Sequence, residues 1–399
     1  MCAIIRACRC LIVILGLAVV PVAGPAAADA PPDSSEELIR RMFEDGGLEP
    51  GWIAPIARAQ LTPQLVRSVV ARVNAAGGQL ESVAPDGHMW QATFENGTAG
   101  IILGRDENGL VNGLWIMDLI PRDLTLERVA ADFATLPGET ALLVTQGGAV
   151  LAEHAADAEL LVGSTFKLAV LEAARDRVEA GTLAWDQVVR YDAASASLPS
   201  GMLQGFPDGH PITVASLAAM MISLSDNTAT DVLIDLVGRA QVEAVAGMAP
   251  LLKTAEFFRL QADAGLYRRY VGGTEAERRA ILEELADVSL PHVGDVANGR
   301  TAHGWRMSAR TACSLIAAVN DIDLMTINTG GVPEADWERI AFKGGNDVGV
   351  ANLTYMLTPR GGEPICVAMT WNDAEALDDT VLMALANRLF HVLHERGPE

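Results

Sequence analysis

Strand-like runs stand at both ends of the stretch from residue 126 to residue 399, with helical pattern between them, and few folds satisfy that order. Thr140–Thr145 and Ala149–His154 flank Gly147-Gly148 as strand, turn and strand. Arg339–Lys343, Val348–Leu357 and Ile365–Trp371 read as strands ahead of a helix from Ala376 to Leu393. The middle holds helices at Thr213–Ser223, Thr228–Val237 and Glu275–Leu285, and an earlier one that opens at Ser164 and stops at Gly181. The arrangement predicts one antiparallel sheet built from both ends of the region, with a helical lobe folded against it.

Residues 33–125 carry a different pattern. Ser34 or Ser35 starts a helix through Phe43, and Thr62-Pro63 starts a second one to about Val73. Turns at Asp86-Gly87, Asn96-Gly97 and Asn108-Gly109 then separate four short strands, around Leu80–Val83, Met89–Phe94, Ala99–Gly104 and Leu110–Leu119. A small α+β unit is expected, with an antiparallel meander against two helices. Pro121-Arg122-Asp123 marks the boundary, and Leu124–Phe133 reads as the next helix.

Chemistry concentrates in three short segments. Gly163-Ser164-Thr165-Phe166-Lys167 puts a serine and a lysine at i and i+3, where their side chains share a helix face and can touch. The apolar stripe continues through Leu171, Ala174 and Val178, so Lys167 is expected to be buried. Burial lowers a lysine's pKa, and a neutral amine can take a proton from a serine. The plainer alternative is an N-cap serine followed by a solvated lysine.

Ser225-Asp226-Asn227 falls between two helices, where hydroxyl and carboxamide can point into a cleft. Asn227 or Thr228 can also cap the following helix, with Asp231 completing a capping box. Lys343-Gly344-Gly345 lies on a predicted strand. A lysine there suits a substrate carboxylate, and paired glycines leave room for a ligand along the strand edge.

S-x-x-K, then S-D-N, then K-T-G in this order is the signature set of class A β-lactamases and penicillin-binding proteins, and the chain resembles that family from about residue 126 to the end. The resemblance implies an α/β (α+β) protein whose residues 126–399 form a β-lactamase/transpeptidase-like domain. Residues 33–125 then resemble an NTF2 or steroid-isomerase-like α+β domain. The layout is similar to the two-domain β-lactamase-like proteins of clavulanic-acid gene clusters.

Carried over, the resemblance makes Ser164 the acylated nucleophile, Lys167 its proton acceptor and Ser225 the relay to the leaving nitrogen. Asn227 and Lys343 would bind the substrate's side chain and carboxylate, beside Gly345. Backbone N–H groups of Ser164 and Asn346 would form the oxyanion hole. An exported serine hydrolase of β-lactams or related esters and amides is implied, acting by acyl-enzyme chemistry in the breakdown of such antibiotics. The alternatives are a non-catalytic penicillin-recognising protein, or a D,D-peptidase or esterase of the same fold.

The chain departs from the pattern twice. Gly344 stands where a hydroxyl residue is usual, and no E-x-x-x-N occurs between Ser225 and Lys343 to activate a deacylating water. Glu256 lies in roughly the right interval, inside an apolar helical stretch.

Charge and leader narrow the partners. With 51 acidic against 29 basic residues the net charge is −22, which disfavours nucleic acid and anionic membranes. Residues 1–28 read as a signal peptide: Arg6 and Arg9, an apolar run from Leu11 to Ala23, and Ala26-Ala27-Ala28 at the cleavage site. A periplasmic or secreted protein without a stable membrane anchor follows, with a small molecule as its partner; the oligomeric state stays open. Cys2, Cys8 and Cys10 leave with the leader; Cys313 and Cys366 read as buried unpaired thiols, with one disulfide as the alternative. No cofactor or metal is expected, since the seven histidines show no ligand spacing and His391 and His394 read as an exposed pair. His88, beside a turn, reads as a surface residue.

Overall fold

A computed structural model of the chain describes residues 30–87, 89–117, 119–296 and 303–396. The expected leader 1–28, its three cysteines and His88 lie outside the described residues. The chain divides into two compact units, with the division between Thr125 and Leu126.

In the first unit, Ser34 caps the helix Ser35–Glu44 by accepting from Glu37 N, and Thr62 caps Pro63–Gly77 by accepting from Leu65 N. The strands Leu80–Asp86, Met89–Phe94, Gly97–Arg105 and Val111–Ile116 follow as an antiparallel meander, and Ile120–Pro121 pairs with the third. Alternation buries Ala92, Phe94, Ala99 and Ile101 against Leu38, Met42, Phe43 and Val70 of the helices. Gly97 is a strand residue rather than a turn residue. A side chain there would collide with the Ile120 carbonyl 2.3 Å away, so the glycine admits the fifth strand.

The main sheet of the second unit is antiparallel, in the order Arg339–Asp347, Val350–Thr358, Ile365–Asn372, Glu139–Gln146, Ala149–His154, and two short strand pairs, Val188–Arg190 with Pro211–Thr213 and Leu160–Leu161 with Arg306–Met307, accompany it. Strands from both ends of the region therefore meet at its centre. The helix Ala309–Val319 packs on the sheet, and Lys167–Glu179 sits in the main core. Leu168, Ala169, Val170 and Leu171 are all buried, so this helix is enclosed on most sides and has no narrow stripe. Among the described residues no helix is long and apolar enough to cross a membrane.

Cys313, on the helix against the sheet, is disulfide-bonded to Cys366 on a central strand, their Cα atoms 5.8 Å apart. This corrects the reading of two unpaired thiols: the apolar contexts that suggested burial are the facing surfaces of one helix and one strand. The bond closes 53 residues of chain. Its reduction is expected to lower the stability of this unit by about 4 kcal/mol through loop entropy alone. Urea midpoints with and without reductant measure this, and coinciding midpoints would refute it.

Candidate active site

Ser164 sits on a single turn of 3-10 helix, Gly163–Phe166, that leads into the helix Lys167–Glu179. Several contacts hold this turn. Val162 N donates to Trp305 O at 2.9 Å, and the Phe166 ring stacks on Trp305 with centroids 4.1 Å apart. Thr165 Oγ1 donates to Asn352 Oδ1 at 2.7 Å, and Asn352 is bonded in turn to Thr354 and Thr370, all buried. A buried hydroxyl–amide network of this kind fixes one geometry, because any shift strands a polar group away from water.

Gly163 has φ +50, a region that disfavours side chains, and its carbonyl neighbourhood is crowded. A Cβ on Gly163 would lie 2.9 Å from Asn346 N. A Cβ on Gly345 would lie 2.1 Å from Val162 O and 2.4 Å from Ser164 N. The edge strand and the turn that carries Ser164 thus touch backbone to backbone. This corrects the expectation that Gly345 leaves room for a ligand; the space is filled by the turn that carries Ser164. The backbone nitrogens of Ser164 and Asn346 border that contact.

Lys167 is fully buried and donates to Ser225 O at 2.6 Å, Asn227 Oδ1 at 2.7 Å and Ser225 Oγ at 3.2 Å. Among the described residues no hydrogen bond joins its amine to Ser164; only the Lys167 backbone N–H reaches that residue, donating to Ser164 O within the turn. The expected serine–lysine contact is therefore replaced by contacts to the 225–227 segment. The cause is local: the helix tightens to 3-10 geometry before Lys167, and a carbonyl and a carboxamide oxygen offer the amine stronger acceptors than a hydroxyl. Burial, reinforced by the charge of Lys343, holds the Lys167 pKa well below its usual value, against the opposing charges of Asp231 and Asp226.

Ser225 is half-buried and stands between two amines, since Lys343 Nζ also donates to its Oγ at 3.1 Å. The second bond from Lys343 goes to Gly344 O. Burial brings the Lys343 pKa down to about 7. Ser225 has φ +54, a left-handed conformation uncommon for serine, and Ser200 Oγ donates to its carbonyl. Strain of this kind persists only where surrounding bonds impose it.

Those bonds come from Asp226. It caps the helix Asn227–Val237 by accepting from Ala229 N at 2.9 Å, and its other oxygen accepts from Met202 N and Leu203 N. The cap is thus Asp226, in place of Asn227 or Thr228. Asn227 is freed for the site, donating to Leu198 O at 3.0 Å while receiving Lys167. Asp231 closes no capping box with Thr228; it accepts from Thr254 N and Ala255 N of the next helix.

Glu256 is buried with both oxygens on Arg239, and Lys253 N also donates to it at 2.8 Å. Three accepted hydrogen bonds thus commit this carboxylate to Arg239 and to the start of its own helix. Among the described residues no group of three or more His, Cys, Asp or Glu could hold a metal ion. His391 is half-buried rather than exposed, while His394 is exposed and lies edge-on to Trp337.

Ser164, Lys167, Ser225, Asn227 and Lys343 are therefore gathered at one junction of edge strand, 3-10 turn and helix N-terminus. Residues 125–269 match the model of the β-lactamase enzyme family. The fold of the second unit is β-lactamase/transpeptidase-like. Four of the five gathered residues fall inside the β-lactamase match, and Lys343 lies beyond it. No curated protein matches the chain. Among solved structures, a β-lactamase from Sphaerobacter thermophilus is similar at 22% identity, covering 69% of this chain and 100% of its own, with a TM-score of 0.47. The penicillin-binding protein PBP-A is similar at 17% identity over 68% of this chain and 94% of its own, TM-score 0.47. A β-lactamase from Xanthomonas campestris is similar at 16% identity over 67% and 97%, TM-score 0.48.

Asn352 and the capping role of Asp226 are what sequence reasoning passed over at this site. A signal existed for the first: Asn352 and Thr354 interrupt an apolar strand, and buried polar residues in such a place need partners.

Proposed function

We propose that the protein is an exported serine hydrolase in which Ser164 is acylated by β-lactams or related esters and amides, and from which the acyl group leaves slowly. The observation that carries this reading is Ser225 Oγ held between the amine of Lys167 and that of Lys343, which lies on the strand whose Gly345 abuts the Ser164 turn. As a neutral amine, Lys167 keeps its two shorter bonds, to Ser225 O and Asn227 Oδ1, and turns its lone pair to the cleft. The Ser164 proton passes to that nitrogen as Oγ bonds the substrate carbonyl carbon. The carbonyl oxygen gains the negative charge and is met by the N–H groups of Ser164 and Asn346. On collapse the bond to the leaving nitrogen or oxygen breaks, and that atom takes the Ser225 proton, which Lys167 replaces.

Lys343 supplies positive charge for a substrate carboxylate, with Gly344 adding no hydroxyl. The engagement of Glu256 by Arg239 supports slow deacylation, and the Cys313–Cys366 disulfide suits an oxidising compartment such as the periplasm or the exterior. The two-domain layout agrees with a relation to the β-lactamase-like proteins of clavulanic-acid gene clusters.

Incubation with a penicillin or cephalosporin is expected to add one acyl mass to the wild-type protein and none to Ser164→Ala. The added mass should persist over many minutes. A wild-type protein that acquires no adduct and turns over no substrate would refute the proposal. Equal affinity for the antibiotic in both proteins, without hydrolysis, would identify a binder instead.

A further inference from the structure

Two lysines are buried side by side in the candidate site, and both donate to neutral acceptors. Their charges need compensation in a medium that screens poorly. Two buried carboxylates stand near. Asp226 is committed to three backbone N–H groups that shape the loop and cap the helix. Asp231 is different.

Asp231 lies one turn beyond Asn227 on the same helix, and i,i+4 places the two on one face. It is only 2% exposed. Its oxygens accept from Thr254 N at 2.7 Å and Ala255 N at 2.9 Å, at the start of the helix Thr254–Ala262. Thr254 Oγ1 donates to Asn227 O at 3.1 Å and is hydrogen-bonded to the Ser197 hydroxyl at 2.8 Å, so through its hydroxyl and its backbone N–H the same threonine is tied to Asn227 and to Asp231. A neutral side chain would suffice to cap one N–H. Accepting two with no donor of its own is a task for a carboxylate.

We propose that Asp231 is a positioning residue that acts through charge: its buried carboxylate, one turn behind Asn227, sustains the proton affinity of Lys167 and stabilises the ammonium formed when Ser164 gives up its proton. This rests on the acyl-transfer reading above. The groups facing Lys167 are Lys343 from the edge strand, and Asp226 and Asp231 from the 225–237 segment; of the two carboxylates, Asp231 acts the more strongly. The charged group acting on Asp231 is Lys253, paired on its outer side with Asp235, and Asp231 in turn acts on Lys167 through charge. Burial raises the Asp231 pKa to about 6, so the charge is present at neutral pH and fades in mild acid.

The sign follows directly. Loss of the negative charge lowers the Lys167 pKa further. The acid limb of the acylation rate should move to lower pH, while the plateau falls because a weaker base accepts the serine proton less readily. In Asp231→Asn, 13C NMR of labelled lysine is expected to place the Lys167 titration about one pH unit lower than in wild type. Acylation, followed by mass, should show the same displacement with a plateau reduced about tenfold. Ser197→Ala, which removes a hydroxyl bonded to Thr254 at the same helix junction and leaves the partners of the Asp231 carboxylate in place, should leave the midpoint in place. A lower plateau with an unmoved midpoint would mean that Asp231 only holds two helices together, and would overturn the proposal. Should Asp231→Asn fail to fold, the wild-type protein answers: the Asp231 carboxyl and Lys167 Cε resonances must share an inflection in mild acid, and independent titrations overturn the idea. The lysine titration needs no substrate. An unreactive wild type therefore refutes the acyl-transfer reading and leaves this measurement legible.

Discussion

Gly345→Ala is expected to reduce acylation by about a hundredfold or more while the domain stays folded. The added methyl would lie 2.1 Å from Val162 O, 2.4 Å from Ser164 N and 2.8 Å from Thr165 N. All three are backbone atoms, so no rotamer change relieves the overlap. Either the edge strand or the Ser164 turn must retreat by about 1 Å, and displacement on that scale is what costs an oriented reaction two orders of magnitude. The Thr165–Asn352 bond and the Phe166–Trp305 stack resist the retreat of the turn, so part of the strain appears as stability, about 1–3 kcal/mol. Gly344→Ser is the informative contrast. There the nearest atom to a new Cβ is Phe342 Cζ at 2.8 Å, the tip of a ring that can turn aside, and Asn352 O follows at 3.2 Å. Adduct formation timed by mass spectrometry, with near-ultraviolet circular dichroism on the same samples, measures both. An alanine variant that acylates at the wild-type rate would show that the turn and strand need not touch.

Lys167→Met should remove acylation more completely, by a factor of about 10²–10⁴ from the lost base alone. Methionine matches the lysine stem in length and apolar character and deletes the amine. Asn227 Oδ1 then loses the lysine donor, at roughly 1–3 kcal/mol for an acceptor left buried and unpaired, while Ser225 O keeps its bond from Ser200 Oγ. Asp226 and Asp231 lose a compensating charge as well. The double variant Lys167→Met with Asp231→Asn is therefore expected to be more stable than the two separate losses would sum to. Thermal midpoints of the four proteins in the cycle give the coupling. Strict additivity would mean that Asp231 and Lys167 do not sense each other.

Much of this is one problem seen twice, since each buried amine is held by neighbours that the chain supplies from far away. Lys167 looks from the sequence like a partner of Ser164, three residues off. In the structure it serves the 225–227 segment, because the chain bends into a 3-10 turn before it and because carbonyl oxygens outcompete a hydroxyl. The same blindness affects Gly345. A glycine beside a lysine on a strand is legible as a special position, but whether the missing side chain makes room for a ligand or for another backbone depends on what packs opposite. Cys313 and Cys366 were each readable as buried, and only the pairing of helix and sheet puts their Cα atoms within bonding range.

By itself the sequence determined the elements and their order: turn residues such as Asp86-Gly87, caps such as Ser34 and Thr62, and strands at both ends of residues 126–399 are local signals, written in propensity and period. It also marked Ser164, Lys167, Ser225, Asn227 and Lys343 as the residues worth watching. The tertiary structure alone decided which of them touch, that Asp226 rather than Asn227 caps its helix, and that Asp231 reaches across to Thr254 and Ala255. The physical reason is range. Helix and strand formation depend on neighbours a few residues apart, whereas hydrogen-bond choice and charge compensation depend on which distant groups are excluded from water together.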